Sequence, residues 1–183
     1  MCSNSSIRFQ IFSFAMIKKK TSLLIMLSQS SNFNISVAES CTGGLLSSSI
    51  IEQSGASNIF NSGFVTYSNK AKTNLLNVDS KLIKKYGAVS NETSLAMAKG
   101  LFKITKSNLI VSITGVAGPN GGTEKNPVGT VYFTFGIKET KKHILYKTNK
   151  MKFNFKDRVQ IQKKSVNYVL SQFIKIIETH KFD

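Results

Sequence analysis

Three side chains at close spacing could carry out acyl-transfer chemistry: a serine, a tyrosine and a lysine. The serine, Ser40, lies in a glycine-containing turn at 38–44, where a predicted strand ends and a predicted helix begins. Such a turn exposes side chains at the carboxyl edge of a sheet, and free N–H groups at the helix start favour a nucleophile, an anion or an oxyanion there. In the structural alternative, Ser40 or Thr42 caps the helix, and Gly43 and Gly44 only turn the chain.

The tyrosine and the lysine lie in a second stretch, residues 63–72. A predicted strand ends at Tyr67, and Lys72 follows about one turn into the next predicted helix. This spacing can bring a phenol and an ammonium group into one pocket at the edge of a sheet. Taken singly, Tyr67 is a packed strand aromatic and Lys72 is a solvated helix lysine in a lysine-rich chain. These residues alone do not decide between the two interpretations.

A glycine-rich loop follows the apolar run at 108–114. Five of residues 114–122 are Gly or Pro, so the backbone can adopt left-handed conformations and bring N–H groups close to a ligand. The loop contains neither of the two common phosphate-loop patterns. It could be a wide crossover loop that uses glycine for flexibility, but its length within a compact domain favours a functional role. The glycines predicted to contact a ligand are Gly115, Gly118, Gly121 and Gly122.

Helices alternate with strands along the chain, which predicts a layered α/β domain. The near-continuous apolar run at 108–114 is typical of a buried strand, and 158–178 has the apolar spacing of a long amphipathic helix. Neither an internal repeat nor a linker is apparent. The predicted helices are 17–31, 43–53, 71–76, 82–86, 92–106 and 158–178, and the predicted strands are 35–38, 63–67, 108–114, 129–137 and 143–147.

The composition is strongly basic. The 183 residues include 25 Lys and Arg against 9 Asp and Glu, a formal net charge of +16. Only Arg8 and Arg158 are arginines, the residue type that best makes bidentate contacts with phosphates and bases. We therefore interpret the charge mostly as solvated surface and expect no specific nucleic-acid binding. From only two Cys and two His we expect neither a metal site nor a disulfide framework, and a reducing, cytoplasmic setting.

Residues 1–15 are interpreted as a disordered N-terminal extension, and residues 16–183 as the folded domain. The apolar stretch 9–16 is followed, rather than preceded, by its strongest positive charge at 18–20, which argues against a secretory signal. No apolar run approaches the roughly 20 residues that span a bilayer, so we expect no transmembrane helix and no membrane partner.

Five strings occur in order and with compatible spacing: AESCTGG at 38–44, GFVTYSNKAK at 63–72, YGAVS at 86–90, SITGVAGPNGGTEKNPVGTVYF at 112–133 and KDR at 156–158. Together they resemble the CinA C-terminal domain family, whose stand-alone members are nicotinamide-nucleotide amidohydrolases (NMN deamidases). The resemblance covers about residues 17–175. Several long motifs in register are far more specific than any single glycine loop.

The resemblance implies a single three-layer α/β/α sandwich domain that hydrolyses the carboxamide of nicotinamide mononucleotide (NMN) to nicotinate mononucleotide and ammonia. It implies no metal and no organic cofactor. The family's catalytic serine, tyrosine and lysine correspond to Ser40, Tyr67 and Lys72. Homo-oligomers are common in the family, so we expect one here. The residues expected to bind the substrate are Thr42, Gly43, Gly44, Gly115, Gly118, Gly121, Gly122 and Arg158.

The implied chemistry suits these side chains. An amide is a poor electrophile, so Ser40 needs a base, and Lys72 can serve only if burial or nearby positive charge lowers its pKa from about 10.4. Tyr67 could orient Lys72, relay the proton or donate to the leaving ammonia. We expect the oxyanion at N–H groups at the start of the helix that follows Gly43. The thiol of Cys41 is an alternative nucleophile, although a small buried residue is the preferred interpretation.

Two departures from the family pattern are the larger ones; a third is a smaller shift, with Asn126 in place of the lysine just before Pro-Val-Gly and Lys125 one residue earlier. Lys156 occupies a position that is commonly glycine, and Gln162 occupies that of the arginine in a common Val-Arg pair. Glutamine cannot replace a charge that contacts phosphate, although Lys163 or Arg158 could do so in part. These departures affect phosphate recognition more than amide chemistry. The alternative function is therefore a catalytically impaired CinA-like domain that binds a nucleotide without hydrolysing it.

Overall fold

The structure, a computed structural model, describes residues 4–139, 144–155 and 157–179. Helices and strands alternate as predicted only as far as β2; three helices and then three strands follow one another before the last helix. In chain order they are α1 (Asn4–Ser30), β1 (Ile35–Glu39), α2 (Leu45–Ile51), β2 (Phe60–Val65), α3 (Asn69–Leu76), α4 (Ser80–Tyr86), α5 (Asn91–Thr105), β3 (Leu109–Gly115), β4 (Thr130–Lys138), β5 (Ile144–Lys152) and α6 (Arg158–Thr179).

The strands form one mixed sheet in the order β2-β1-β3-β4-β5. The first three strands are mutually parallel, with β1 between β2 and β3, whereas β4 and β5 each run antiparallel to the preceding strand. The carboxyl ends of β1, β2 and β3 therefore meet at one edge of the sheet. The residues that follow these three strands are the ones that the sequence selects as chemically important.

Helices cover both faces of the sheet. One face packs against α1, α2 and α6 through side chains such as Val37, Val111 and Phe133, and the other packs against α3, α4 and α5 through Ala38 and Ile110. The central strands β1, β3 and β4 are buried along almost their whole length, because helices lie on both sides of them. The predicted three-layer α/β/α sandwich is confirmed.

Helix α1 is longer than predicted. The apolar stripe predicts a start at Ile17, but the helix begins at Asn4, so residues 4–15 are helical where we expected a disordered extension. No Gly or Pro occurs between Asn4 and Ser30 to interrupt the helix. Ile17 and Leu24, in the second half of α1, are buried in the core. The domain boundary at residue 16 stays a prediction.

The helix starts beside the glycine turns follow local capping rules. The hydroxyl of Ser68 accepts a hydrogen bond from the N–H of Ala71 (3.0 Å) at the start of α3, and Ser90 does the same for Thr93 (3.1 Å) at the start of α5. Helix α3 therefore begins at a fixed residue, which sets the position of Lys72 one turn later. None of the helices within the described ranges is both long and apolar enough to cross a membrane.

Candidate active site

A cavity opens at the carboxyl edge of the sheet, beside the ends of β1, β2 and β3. Its volume of about 300 Å³ lies at the low end of the range of about 300–1,000 Å³ typical of small-molecule sites. Its position agrees with the rule that ligands bind outside the carboxyl ends of strands in α/β sheets. The predicted site residues that line it are Ser40, Tyr67, Lys72, Gly115, Gly118, Gly121 and Arg158.

Ser40 and Lys72 contact each other in this cavity. The Nζ atom of Lys72 lies 3.1 Å from Oγ of Ser40 and donates a second hydrogen bond, of 2.8 Å, to the carbonyl oxygen of Thr66. Lys72 is only 1% exposed, and burial lowers its pKa below the ordinary lysine value. The alternative of a solvated helix lysine is therefore wrong. The structure provides the geometry and the environment that a lysine base requires.

Two neighbouring strand ends hold this pair. Ser40 follows β1 directly, and its N–H donates to the carbonyl oxygen of Ile113 in β3 (3.0 Å). Thr66 follows β2, and its N–H donates to the carbonyl oxygen of Glu39 in β1 (2.7 Å). The pairing of β1 with β2 thus continues just beyond the strands. It brings the serine turn close to the start of α3, which carries Lys72.

The start of α2 is capped by a carboxylate from the preceding strand. The side chain of Glu39 accepts hydrogen bonds from the N–H groups of Gly44 (3.2 Å), Leu46 (3.1 Å) and Ser47 (2.8 Å). The N-cap residue is Gly44, in a left-handed conformation that favours glycine. The alternative in which Ser40 or Thr42 caps the helix is therefore wrong, because Glu39 satisfies these donors.

This cap also overturns the predicted oxyanion site. We expected the N–H groups after Gly43 to be free, but three of them bind Glu39. The N–H of Gly43 donates to the carbonyl of Ser40 (3.2 Å), and the N–H of Leu45 donates to that of Thr42 (3.1 Å). The first turn of α2 therefore offers no free donor to an oxyanion.

Tyr67 reaches the cavity without joining the pair. Its side chain is 65% exposed, and it forms no hydrogen bond with Ser40 or Lys72 in the part of the chain that the structure describes. The spacing between Tyr67 and Lys72 does bring both residues to one pocket. The alternative of a packed strand aromatic does not apply, since Tyr67 follows the end of β2 and is solvent-accessible.

The glycine-rich loop forms one wall of the cavity. Gly118 and Gly121 have positive φ angles of 77° and 86°, which agrees with the left-handed conformations predicted from the composition of the loop. Four other residues predicted to bind the substrate do not line the cavity. For these residues, Thr42, Gly43, Gly44 and Gly122, substrate contact stays a prediction.

Helix α6 contributes to the site from its first turn. Arg158, its first residue, is partly buried and lines the cavity, where it and Lys72 are the basic side chains among the described lining residues. Gln162 donates a hydrogen bond from Nε2 to the carbonyl oxygen of Cys41 (2.9 Å), so it ties α6 to the serine turn. Lys156, the other departure from the family pattern, lies outside the described residues.

Sequence reasoning missed two features of the site: the role of Glu39 and the contact from Gln162 to the serine turn. The available signal for Glu39 was an acidic residue directly after the predicted strand at 35–38, which the structure shows to be buried. A charge in that position needs buried partners. No comparable signal pointed to the partner of Gln162, which lies 121 residues away in the chain.

If the site hydrolyses amides, as the family resemblance implies, replacement of Cys41 with serine is expected to leave most of that activity intact. Burial raises the pKa of the Cys41 thiol to about 12, so the nucleophilic thiolate is scarce at neutral pH. Ser40, by contrast, already contacts Lys72. Steady-state kinetics of Cys41→Ser should give a kcat within about threefold of the parent, because serine nearly keeps the shape of the side chain and the reaction at Ser40 needs no thiolate. Complete loss of turnover in a folded Cys41→Ser protein would instead assign the nucleophile to Cys41.

The fold and the site together define a three-layer α/β/α protein with a buried serine and lysine in contact at the carboxyl edge of its sheet. The family model described as CinA C-terminal domain matches residues 17–177. The chain belongs to the CinA C-terminal domain family.

Solved structures and curated relatives agree with this assignment. The chain is similar to the competence/damage inducible protein CihA from Agrobacterium tumefaciens, with 33% identity, a TM-score of 0.81 and coverage of 88% of this chain and 95% of that one. A CinA superfamily protein from Escherichia coli gives 31% identity, a TM-score of 0.80 and coverage of 87% and 90%. A CinA-like protein of Colwellia psychrerythraea is 52% identical over 108 residues, which are 59% of this chain and 25% of that protein. The aligned region thus spans about a quarter of the length of such curated relatives.

Proposed function

We propose that the protein hydrolyses the carboxamide of NMN to nicotinate mononucleotide and ammonia. The contact between Ser40 Oγ and Lys72 Nζ carries this proposal, because it joins a nucleophile to a buried base in a cavity of suitable size. Resemblance to the stand-alone members of the family supplies the substrate. The names of the relatives describe competence or damage-inducible proteins and do not state a substrate.

The reaction proceeds through an ester on Ser40. Neutral Lys72 accepts the hydroxyl proton as Oγ attacks the carboxamide carbon, and the resulting ammonium then returns this proton to the leaving nitrogen, so that ammonia departs. Lys72 next accepts a proton from a water molecule that attacks the ester, and it returns the proton to Oγ as nicotinate mononucleotide leaves. The enzyme is regenerated, with one amide bond and one water molecule consumed.

The glycine-rich loop is the better candidate for the oxyanion donors. The N–H groups of Ala117 and Gly118 donate to no acceptor within the described ranges, and both residues line the cavity. Backbone donors in such a loop are fixed before the substrate arrives, so they can stabilise the developing charge without reorganisation. One donor of this kind is typically worth about 3 kcal/mol of the barrier.

Arg158 is proposed to bind the phosphate of the substrate. Replacement with glutamine should raise KM for NMN by about 10- to 100-fold, because a charge-assisted hydrogen bond to phosphate is worth roughly 1.5–3 kcal/mol. The change in kcat should be smaller, since Arg158 does not contact Ser40 or Lys72. Nicotinamide riboside lacks the phosphate, so Arg158→Gln should leave its kcat/KM unchanged. An equal loss on both substrates would show that Arg158 does not act through the phosphate.

Ammonia release from NMN, measured beside the effect of NMN on the melting temperature, tests the proposed function. The second candidate is nucleotide binding without turnover, which follows if the departures at Lys156 and Gln162 weaken the pocket. The uncharged side chain of Gln162 donates to the carbonyl oxygen of Cys41, and Arg158 lines the cavity. Ammonia release at a rate proportional to the enzyme concentration supports the amidase. Thermal stabilisation by NMN without ammonia supports the binding domain, and the absence of both contradicts each function.

A further inference from the structure

The side chain of Glu39 is a fully buried carboxylate that faces hydrogen-bond donors on both oxygens. Its exposed fraction is 0%. Besides the three N–H groups at the start of α2, it accepts a bond of 2.7 Å from the hydroxyl of Ser47. No Lys or Arg in the described ranges forms an ion pair with it. Only a carboxylate offers an acceptor to every one of these donors, and the helix N-terminus favours the negative charge.

The main chain of Glu39 is linked to Lys72 by hydrogen bonds through Thr66. Its carbonyl oxygen accepts hydrogen bonds from the N–H (2.7 Å) and the hydroxyl (3.4 Å) of Thr66. The carbonyl oxygen of Thr66 in turn accepts the bond from Nζ of Lys72 (2.8 Å). Glu39 therefore connects to Lys72 through one intervening residue, and it is covalently adjacent to Ser40.

We propose that Glu39 is the positioning residue of the site: its buried carboxylate fixes the serine turn on α2, while its main chain fixes the strand end that holds Lys72. This inference rests on the proposed function for the reaction whose rate it affects. Glu39 does not line the cavity and is not expected to touch the substrate. Its effect is to hold Oγ of Ser40 at hydrogen-bond distance from Nζ of Lys72.

A second consequence concerns anions. The N-terminus of a helix is ordinarily a favourable anion site. Here its donors are occupied and a buried negative charge lies beside them, so neither the oxyanion nor the substrate phosphate can bind at the start of α2. Both negative groups are therefore directed toward the glycine-rich loop and Arg158, which line the cavity.

Substitution Glu39→Gln tests the proposal, because it keeps the shape and removes the charge and half of the acceptors. We expect kcat for ammonia release from NMN to fall by about 10- to 100-fold, the loss that a displacement of about 1 Å in a reacting group can produce. KM should stay within about threefold, since Glu39 does not contact the substrate. Circular dichroism and the melting temperature establish that the variant is folded at the assay temperature.

Two serine variants on α2 provide a second test of the proposal if Glu39→Gln does not fold. Ser47→Ala removes only one donor to Glu39, whereas Ser49→Ala removes a hydroxyl that donates to the carbonyl of Leu45 (2.7 Å) in the same helix. We expect Ser47→Ala to lower kcat several-fold and Ser49→Ala to leave it unchanged. Equal activity of the two variants would overturn the proposal.

The outcomes separate this inference from the proposed function. A folded Glu39→Gln protein with kcat within threefold of the parent overturns the positioning role, and so does a rise in KM equal to the fall in kcat. If the parent protein releases no ammonia from NMN, the proposed function fails. The rate at which an alkyl fluorophosphonate phosphonylates Ser40 then replaces kcat as the readout; the P–F bond breaks as the O–P bond forms, and Lys72 accepts the hydroxyl proton. Slower labelling of Glu39→Gln supports the proposal, and unchanged labelling contradicts it.

Discussion

Replacement of Lys72 with methionine should lower kcat for ammonia release from NMN by about 10²–10⁴-fold, the contribution of a positioned general base. Methionine keeps an unbranched buried side chain but has no amine to accept the proton of Ser40. Because burial lowers the pKa of Lys72, the neutral base becomes available below the ordinary lysine range. In the parent protein kcat/KM should therefore rise with pH through that lowered pKa, and this limb should vanish in Lys72→Met.

The matched control for this prediction is Lys70→Met. Lys70 lies in the first turn of the same helix, is exposed and does not line the cavity. It should retain the rate and the pH profile of the parent, which separates the buried base from any general effect of lysine on this helix. If Lys72→Met kept the parent rate while folded, Lys72 would not be the base.

Replacement of Ser40 with alanine is expected to have the largest effect of any single substitution. It removes the nucleophile, so the ester cannot form, and a loss of about 10³–10⁶-fold in kcat is typical when one member of a nucleophile and base pair is deleted. The cavity and the glycine-rich loop are left unchanged. Ser40→Ala should therefore still be stabilised thermally by NMN while it releases no measurable ammonia.

Ser48→Ala serves as the control for loss of a hydroxyl near this site. Ser48 is exposed on α2, and its side chain is not part of the cavity lining. Its rate should equal that of the parent. If Ser40→Ala and Ser48→Ala were equally active, a different nucleophile would be required, and Cys41 would be the first to examine in the double variant.

The sequence predicted most of the fold because the relevant signals are local. The apolar run of β3 and the amphipathic spacing of α6 each depend on neighbours within one element, and both were confirmed with boundaries that differ by one residue. The predicted start of α1 was wrong because the apolar stripe marks residues that are buried in the core, such as Ile17 and Leu24, and does not mark where the helix begins. Helical conformation in the first half requires no such stripe.

The site was less predictable because it depends on side-chain conformations and on contacts that the residue types alone do not reveal. Lys72 lies five positions after Tyr67, and this spacing fixes how far apart they lie along the chain but not the directions of their side chains. The side chain of Tyr67 is 65% exposed, whereas that of Lys72 is 1% exposed. Likewise, the glycines alone led us to expect free N–H groups at the start of α2. The side chain of Glu39, four residues before Gly43, accepts hydrogen bonds from these groups.

Part of the lysine surplus lies on β5, a strand at the edge of the sheet. Among the described residues no strand pairs with the outer edge of β5, and an unpaired strand edge is a template for other chains to add to. Lys147, Lys150 and Lys152 are exposed along this strand. Two copies that approached each other through β5 would bring these like charges together. We therefore expect the lysines to oppose aggregation through this edge at high protein concentration.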